Sequence, residues 1–280
     1  MQRLKTLVHG AVRRLIAMPL CLAPARTRAE IVAGFSERMF TDVAVEGRNL
    51  RFYTPTPGLL KRANDLLIKE PDMIGWLNGL PPGSVLWDIG ANVGVFSLYA
   101  ALLRETSVVA FEPSASNFYV LSRNIQINNL GYKITALCVA FSDCSKLGVL
   151  NMTSADMGAA TSQFGQAGDQ SPYWEKTITP IGQGMIGFTI DEFIDRFQPP
   201  FPNYLKIDVD GLEWPILQGA VQTLADSRLR SAMIELSVSH QNERKEAISF
   251  LNQCSLHLVS SGEIQSTASA KAANHLFERQ

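Results

Sequence analysis

The stretch Val85-Leu-Trp-Asp-Ile-Gly-Ala-Asn-Val-Gly-Val-Phe-Ser97 constrains the fold more than any other. Val85, Leu86, Trp87 and Ile89 form an apolar run of strand length, entered from the breakers Pro81, Pro82 and Gly83. Gly90 and Gly94 then permit backbone conformations and close approaches that a side chain would block. Phe96, Tyr99, Ala100 and Leu103 follow at helical spacing. A strand that feeds a helix through a glycine turn aims backbone N–H groups and a helix N-terminus at one spot. This is a nucleotide-type binding site at the carboxyl end of a strand. On this stretch alone, an ordinary strand–helix turn capped by Asp88 stays open.

The spacing of the glycines narrows the ligand. A dinucleotide turn reads Gly-x-Gly-x-x-Gly, and Asn92 stands where the middle glycine would be. Without that glycine a pyrophosphate cannot approach the backbone closely. Asp88 adds a negative charge, which repels phosphate and attracts a cation. A sulfonium with an ammonium group, as in S-adenosylmethionine, suits Asp88, Gly90, Ala91, Asn92 and Gly94 better. A second apolar run, Val108 to Phe111, ends in Glu112 and Pro113. Glu112 follows Gly94 by 18 residues, close to the roughly 20-residue spacing at which an acid meets ribose hydroxyls.

From residue 84 onward strands and helices alternate, which predicts an α/β fold with a doubly wound, Rossmann-like sheet. Seven strands are expected, at 85–89, 107–112, 134–140, 204–209, 232–236, 256–260 and 274–279. The last is entered from a 13-residue loop rich in Gly, Ser and Ala. A parallel return needs a helical crossover, so strand seven should run antiparallel. Thr189 is expected to cap a short helix, and Gln198-Pro-Pro-Phe201 to form a turn. Residues 1–80 read as a helical and irregular lead-in to a catalytic domain at 81–280. Between strands three and four, 146–152 and 177–181 are expected to pair as a β-hairpin insertion. The segment 154–173 is either a mobile substrate lid or a plain surface insertion.

Asp-Ile-Gly-Ala-Asn-Val-Gly, then Phe-Glu-Pro, then Leu205-Lys-Ile-Asp-Val-Asp-Gly-Leu-Glu213 resemble the FkbM-type family of S-adenosylmethionine-dependent methyltransferases. The three motifs occur in that family's order, and the resemblance covers about residues 70 to 280. It implies a class I methyltransferase sheet and methylation of a hydroxyl on a sugar, glycan or secondary metabolite. Asp210 departs from the family, which usually has Glu there.

Methyl transfer from a sulfonium is an in-line displacement that needs orientation and a group to take the acceptor's proton. Candidates lie at the carboxyl ends of strands: Asp208, Glu235 and the following His240, with Lys206 on the same sheet face as Asp208 by strand alternation. Asp210 and Glu213 either join them or offset the dipole of the next helix. Asp208 and Glu235 are also the oxygen ligands that a divalent metal would take. Ala140 and Asp143, after strand three, are expected near the adenine. A nicotinamide-dependent oxidoreductase is disfavoured by Asn92 and by the lack of a Tyr-x-x-x-Lys pair. A non-catalytic cofactor-binding member is disfavoured by Asp88, Gly90, Glu112, Lys206 and Asp208 together.

The net charge of −1 supplies no basic field for nucleic acid, so a small-molecule or glycan partner is expected. Cys21, Cys138, Cys144 and Cys254 show no CxxC pairing, which points to a reducing, cytoplasmic compartment and no structural zinc. Residues 1–28 carry six cations and no acid. Residues 1–18 predict a basic amphipathic helix that lies on an anionic membrane surface or packs on the protein or on another subunit.

Overall fold

The computed structural model describes residues 21–166, 181–266 and 271–280; the amphipathic stretch expected at 1–18 lies outside them. The chain forms two compact units, Met1–Phe40 and Thr41–Gln280. The first contributes one described helix, α1 (Ala25–Ser36). No helix among the described residues is long and apolar enough to cross a membrane.

The second unit opens with β1 (Phe40–Val45) and β2 (Arg48–Tyr53), paired as a two-stranded sheet. Glu46 and Gly47, both at positive φ, make the two-residue hairpin turn. Next come α2 (Pro57–Asp65) and α3 (Pro71–Asn78). Each starts on a proline, where the missing N–H costs no helical hydrogen bond. Alternation then begins: β3 (Val85–Ile89), α4 (Val95–Leu103), β4 (Ser107–Phe111), α5 (Ala115–Ile127) and β5 (Ile134–Leu137). An insertion carries β6 (Ala140–Phe141), β7 (Lys146–Met152), β8 (Ser162–Gly165) and β9 (Ile181–Phe188). The pattern resumes with α6 (Ile190–Phe197), β10 (Tyr204–Ile207), α7 (Glu213–Gln218), α8 (Val221–Ala225), β11 (Ser231–Ser237) and α9 (Gln241–Gln253). It closes with β12 (Leu256–Ser261), the two-residue β13 (Gln265–Ser266) and β14 (Lys271–Arg279). Thr189 caps α6 by accepting the Glu192 N–H at 3.0 Å, as its sequence signal predicts.

The central sheet runs β12-β14-β11-β10-β3-β4-β5, with β13 added beside β14. β14 pairs antiparallel with both β11 and β12, while β11, β10, β3, β4 and β5 are mutually parallel. This is the seven-strand, Rossmann-like arrangement with a reversed last strand. Period-two alternation divides its residues between two cores. Leu86, Val108, Tyr204 and Met233 face one core, with Val45, Phe52, Met73 and Leu77 from residues 41–80 packed into it. Trp87, Val109, Phe111, Leu205 and Ile234 face the other. There Trp87, Phe111, Phe141 and Phe193 form an aromatic cluster with centroids 4.8–6.3 Å apart. The Trp87 ring N–H donates to Pro200 O at 2.9 Å, so the Gln198–Phe201 turn anchors the core.

The insertion is a four-stranded sheet in the order β6-β9-β7-β8, larger than the expected hairpin. The first hairpin strand falls at 146–152 as expected. Its partner is Ile181–Phe188, which begins where the expected 177–181 strand ends; residues 177–180 lie outside those described. Gly182, Gly184 and Gly187 hide this strand from propensity reasoning. Gly187 is there for packing: a Cβ on it would sit 2.2 Å from Phe164 Cε1. Part of the expected loop, Ser162–Gly165, is strand β8.

Candidate active site

Period-two alternation also assembles the site. Asp88 and Lys206 are register partners on neighbouring parallel strands, so their side chains rise on one face. Two residues further along each strand direction come Asp208, Glu112 after β4, and Glu235 on β11. The charged residues at the strand ends therefore all leave the sheet on the face that carries α4 and α5.

Lys206 is 1% exposed. Its Nζ lies 3.1 Å from Asp88 Oδ1 and 3.4 Å from Asp208 Oδ2. Burial alone would lower the lysine, but the charges of Asp88 and Asp208 hold it above its ordinary value. Asp88 is fully buried, and its second oxygen accepts from Ser97 Oγ at 2.5 Å. Asp208 is the member of this chain that reaches open space, with its side chain 27% exposed.

The β3–α4 turn explains both glycines. A Cβ on Gly90 would fall 1.8 Å from the Asp208 carbonyl oxygen, so a glycine is what lets the ends of β3 and β10 touch. Gly94 adopts φ +83° and a Cβ there would meet Leu121 Cδ1 at 2.4 Å. Asn92, also at positive φ, donates its backbone N–H to Glu112 Oε2 at 2.8 Å. Ser114 N–H donates to Glu112 Oε1 at 2.9 Å. Burial pushes the Glu112 carboxyl up to about 7, with these hydrogen bonds opposing the rise.

The strand ends and the β3–α4 turn border a cavity of about 610 Å³, within the range of small-molecule sites, about 300–1,000 Å³. Gly90, Ala91, Asn92, Glu112, Pro113, Ala140, Lys206, Asp208 and Glu235 all contribute to its wall. The buried Asn92 Oδ1 has no hydrogen-bond partner among the described residues, as expected of a group that awaits a donor. The cavity, the unpaired amide oxygen and the Glu112 carboxyl fit a nucleoside-containing cofactor.

The strap between β7 and β8 forms the roof. Ala159 O accepts from the side-chain amides of Asn92 at 2.9 Å and Asn117 at 3.0 Å. Gly158 N–H donates to Asn117 Oδ1 at 2.8 Å, and Arg62 Nε donates to Gly158 O at 2.6 Å. Thr161 N–H donates to Asp210 Oδ2 at 2.6 Å. The segment expected as a lid is thus tied, across 158–161, to the turn residue Asn92 and to the loop after β10. This is also the role of Asp210: it holds the strap from a residue at φ +58°.

Acids gather at the β10–β11 side. Glu213 Oε1 accepts from Val209 N at 3.2 Å and Gly211 N at 3.1 Å, so it caps the turn leading into α7. Burial pushes it up to about 7. Burial, then the charge of Asp208 and its neighbours, pushes Glu235 up to about 10. Among the described residues no group of three or more His, Cys, Asp or Glu side chains is arranged to hold a metal ion.

Four expected site residues stand away from the cavity wall. Asp88 lies beneath it, its charge answered by Lys206, so the cation it attracts is the protein's own. Gly94 packs on α5 instead. Asp143 is exposed, with Ser142 Oγ at 2.9 Å and Lys146 Nζ at 3.9 Å, in the connection between β6 and β7 of the insertion. His240 precedes α9, with Ser237 Oγ 3.2 Å from its Nδ1; Ser237, not His240, reaches the wall. Sequence reasoning missed Arg62, Lys69, Glu70 and Asn117 as residues of the site. No local motif marks them; only tertiary packing brings them to the cavity.

Residues 88–258 match the family model described as the methyltransferase FkbM domain. The chain belongs to the FkbM methyltransferase family. This is a family of S-adenosylmethionine-dependent methyltransferases, and its matched segment spans the Asp88 turn, Glu112, Asp208 and Glu235. Among relatives, the chain is 24% identical over 180 residues to hexuronic acid methyltransferase AglP of Haloferax volcanii, covering 64% of this chain and 68% of that protein. It is 37% identical over 162 residues to methyltransferase sdnD of Sordaria araneosa, covering 50% of this chain and 61% of that one. Among solved structures, a methyltransferase FkbM from Methylobacillus flagellatus KT aligns with a TM-score of 0.44 and 14% identity, over 70% of this chain and 44% of that chain. The family membership rests on the matched model, and this chain spans less than half of that solved structure.

Proposed function

We propose that this FkbM-family chain is an S-adenosylmethionine-dependent O-methyltransferase acting on a hydroxyl of a sugar or a similar polyhydroxylated small molecule. The observation that carries the reading is Asp208. It stands at the carboxyl end of β10, open to the cavity, with its backbone carbonyl against Gly90 and its carboxylate 3.4 Å from a buried lysine. The relation to a hexuronic acid methyltransferase supports a saccharide acceptor.

When bound, the cofactor supplies an electrophilic methyl group on a sulfonium. Glu112 would take the ribose hydroxyls with the lone pairs left free by Asn92, Ser114 and Asn117. Val139 and Ala140, which line the cavity, would hold the adenine, and the 158–161 strap would exclude water from above. Asp208 accepts the proton of the acceptor hydroxyl as that oxygen attacks. Lys206 fixes the Asp208 carboxylate in place, and Asp88, itself held by the Ser97 hydroxyl, fixes Lys206. With its carboxylate held 3.4 Å from the Lys206 ammonium, Asp208 acts mainly through position.

The test is release of S-adenosylhomocysteine from S-adenosylmethionine over a library of hydroxylated acceptors. With an acceptor found, Asp208→Asn should lose at least about 10²-fold in turnover and still bind the cofactor. Near-normal turnover in that variant would remove Asp208 from the chemistry.

A further inference from the structure

Glu70 and Asn274 lie on either side of residues 88–258, outside the segment that the family model spans. Glu70 precedes α3 and lines the cavity, although it is only 6% exposed. Lys69 Nζ donates to its Oε1 at 2.9 Å, and Asn274 Nδ2 donates to its Oε2 at 3.2 Å. Asn274 is the register partner of Glu235 on the neighbouring strand, so both rise on the face that carries Asp208. The Oδ1 of Asn274 is buried without a hydrogen-bond partner among the described residues. With Lys69 on one Glu70 oxygen and Asn274 on the other, each oxygen retains a further lone pair.

The cavity wall carries seven carboxyl side chains against four cations, and those cations are already matched. Lys61 pairs with Asp65 at 2.5 Å, Arg62 with the strap carbonyl of Gly158, Lys69 with Glu70, and Lys206 with Asp88 and Asp208. The excess is felt at Glu235, which burial, Asp208, Glu213, Asp210 and Glu70 together hold protonated at neutral pH. With Glu235 neutral, six carboxyls still face the four cations, so a further carboxylate brought here by an acceptor would meet like charge in a partly dry cavity. Paired hydroxyls or an ammonium would instead donate into Glu70.

We propose that Glu70, positioned by Asn274, recognises the methyl acceptor and selects a neutral or amine-bearing sugar over a carboxylate-bearing one. The proposal rests on the methyltransferase reading above and adds the acceptor class to it. It departs from the acidic acceptor named for the relative AglP.

The test uses the full chain loaded with S-adenosylhomocysteine and three probes: methyl glucoside, methyl 2-amino-2-deoxyglucoside and methyl glucuronide. Calorimetry or ligand-observed magnetic resonance gives the affinity of each. The first two should bind at least about tenfold more tightly than the glucuronide, the scale of one hydrogen bond to a charged group. Glu70→Gln should shrink that ratio by at least about fivefold and leave S-adenosylhomocysteine affinity unchanged. Asn274→Ala should move the ratio in the same direction, again without a change in cofactor affinity, which a general loss of structure would not spare. Tightest binding of the glucuronide, an unchanged ratio in Glu70→Gln, or no binding of any probe to the loaded protein would each overturn the proposal. Failure of S-adenosylhomocysteine to load would overturn the cofactor reading, and this proposal with it.

Discussion

Glu112 makes the sharpest single-residue claim. Its two oxygens are already aligned by the N–H groups of Asn92 and Ser114, so on the proposed reading it would meet a ribose diol without rearrangement. Glu112→Ala should weaken S-adenosylhomocysteine binding by about 1.5–3 kcal/mol, the range for a hydrogen bond to a charged group; calorimetry with unchanged affinity would contradict this. Glu112 and Asp208 were legible in the sequence because each ends an apolar strand next to a glycine turn or a helix start. Glu70 was not legible. It sits before a short helix with no motif around it, and its partner Asn274 is 204 residues away. Asp88 shows the converse: the motif marks the position, but the residue that answers its charge comes from another strand.

At the scale of elements, the strands of the central sheet follow from runs of apolar residues broken by glycine and proline, and the reversed β14 follows from the absence of a crossover. The insertion was half legible. β7 carries an apolar stretch, whereas β9 carries three glycines, one of which makes room for the Phe164 ring. No pattern rule marks a glycine as a packing choice in a strand. The strap is the element with the most consequence. Asp210→Ala removes the acceptor of the Thr161 N–H and should raise hydrogen exchange across 158–162 while leaving the central sheet protected. It should also weaken cofactor binding, since the strap roofs the cavity. Exchange at 158–162 equal to wild type would show that Asp210 does not hold the strap.

Across the whole molecule, the buried carboxyls tie stability to pH. In the folded chain Glu112 and Glu213 are pushed up to about 7 and Glu235 to about 10, chiefly by burial, from an ordinary value of 4.5. A raised carboxyl binds its proton more tightly in the folded state than in the unfolded one. Its contribution is present below about pH 4.5 and is lost as pH rises through the folded value. The ligand-free chain should therefore melt at a lower temperature at pH 8 than at pH 6. Glu235→Gln, which removes the group that titrates highest, should raise the melting temperature at pH 8 by more than about 2 °C, the scale of one kcal/mol in a domain of this size. A melting temperature that rises from pH 6 to pH 8 would contradict the burial of these groups.

The central claim is that the cavity above Asp88, Glu112 and Asp208 takes S-adenosylmethionine and not a dinucleotide. Titration calorimetry of the full chain against S-adenosylmethionine and against NAD tests it most directly. One-to-one binding of S-adenosylmethionine with no heat from NAD is the predicted result. Binding of NAD, or no binding of S-adenosylmethionine, would contradict it.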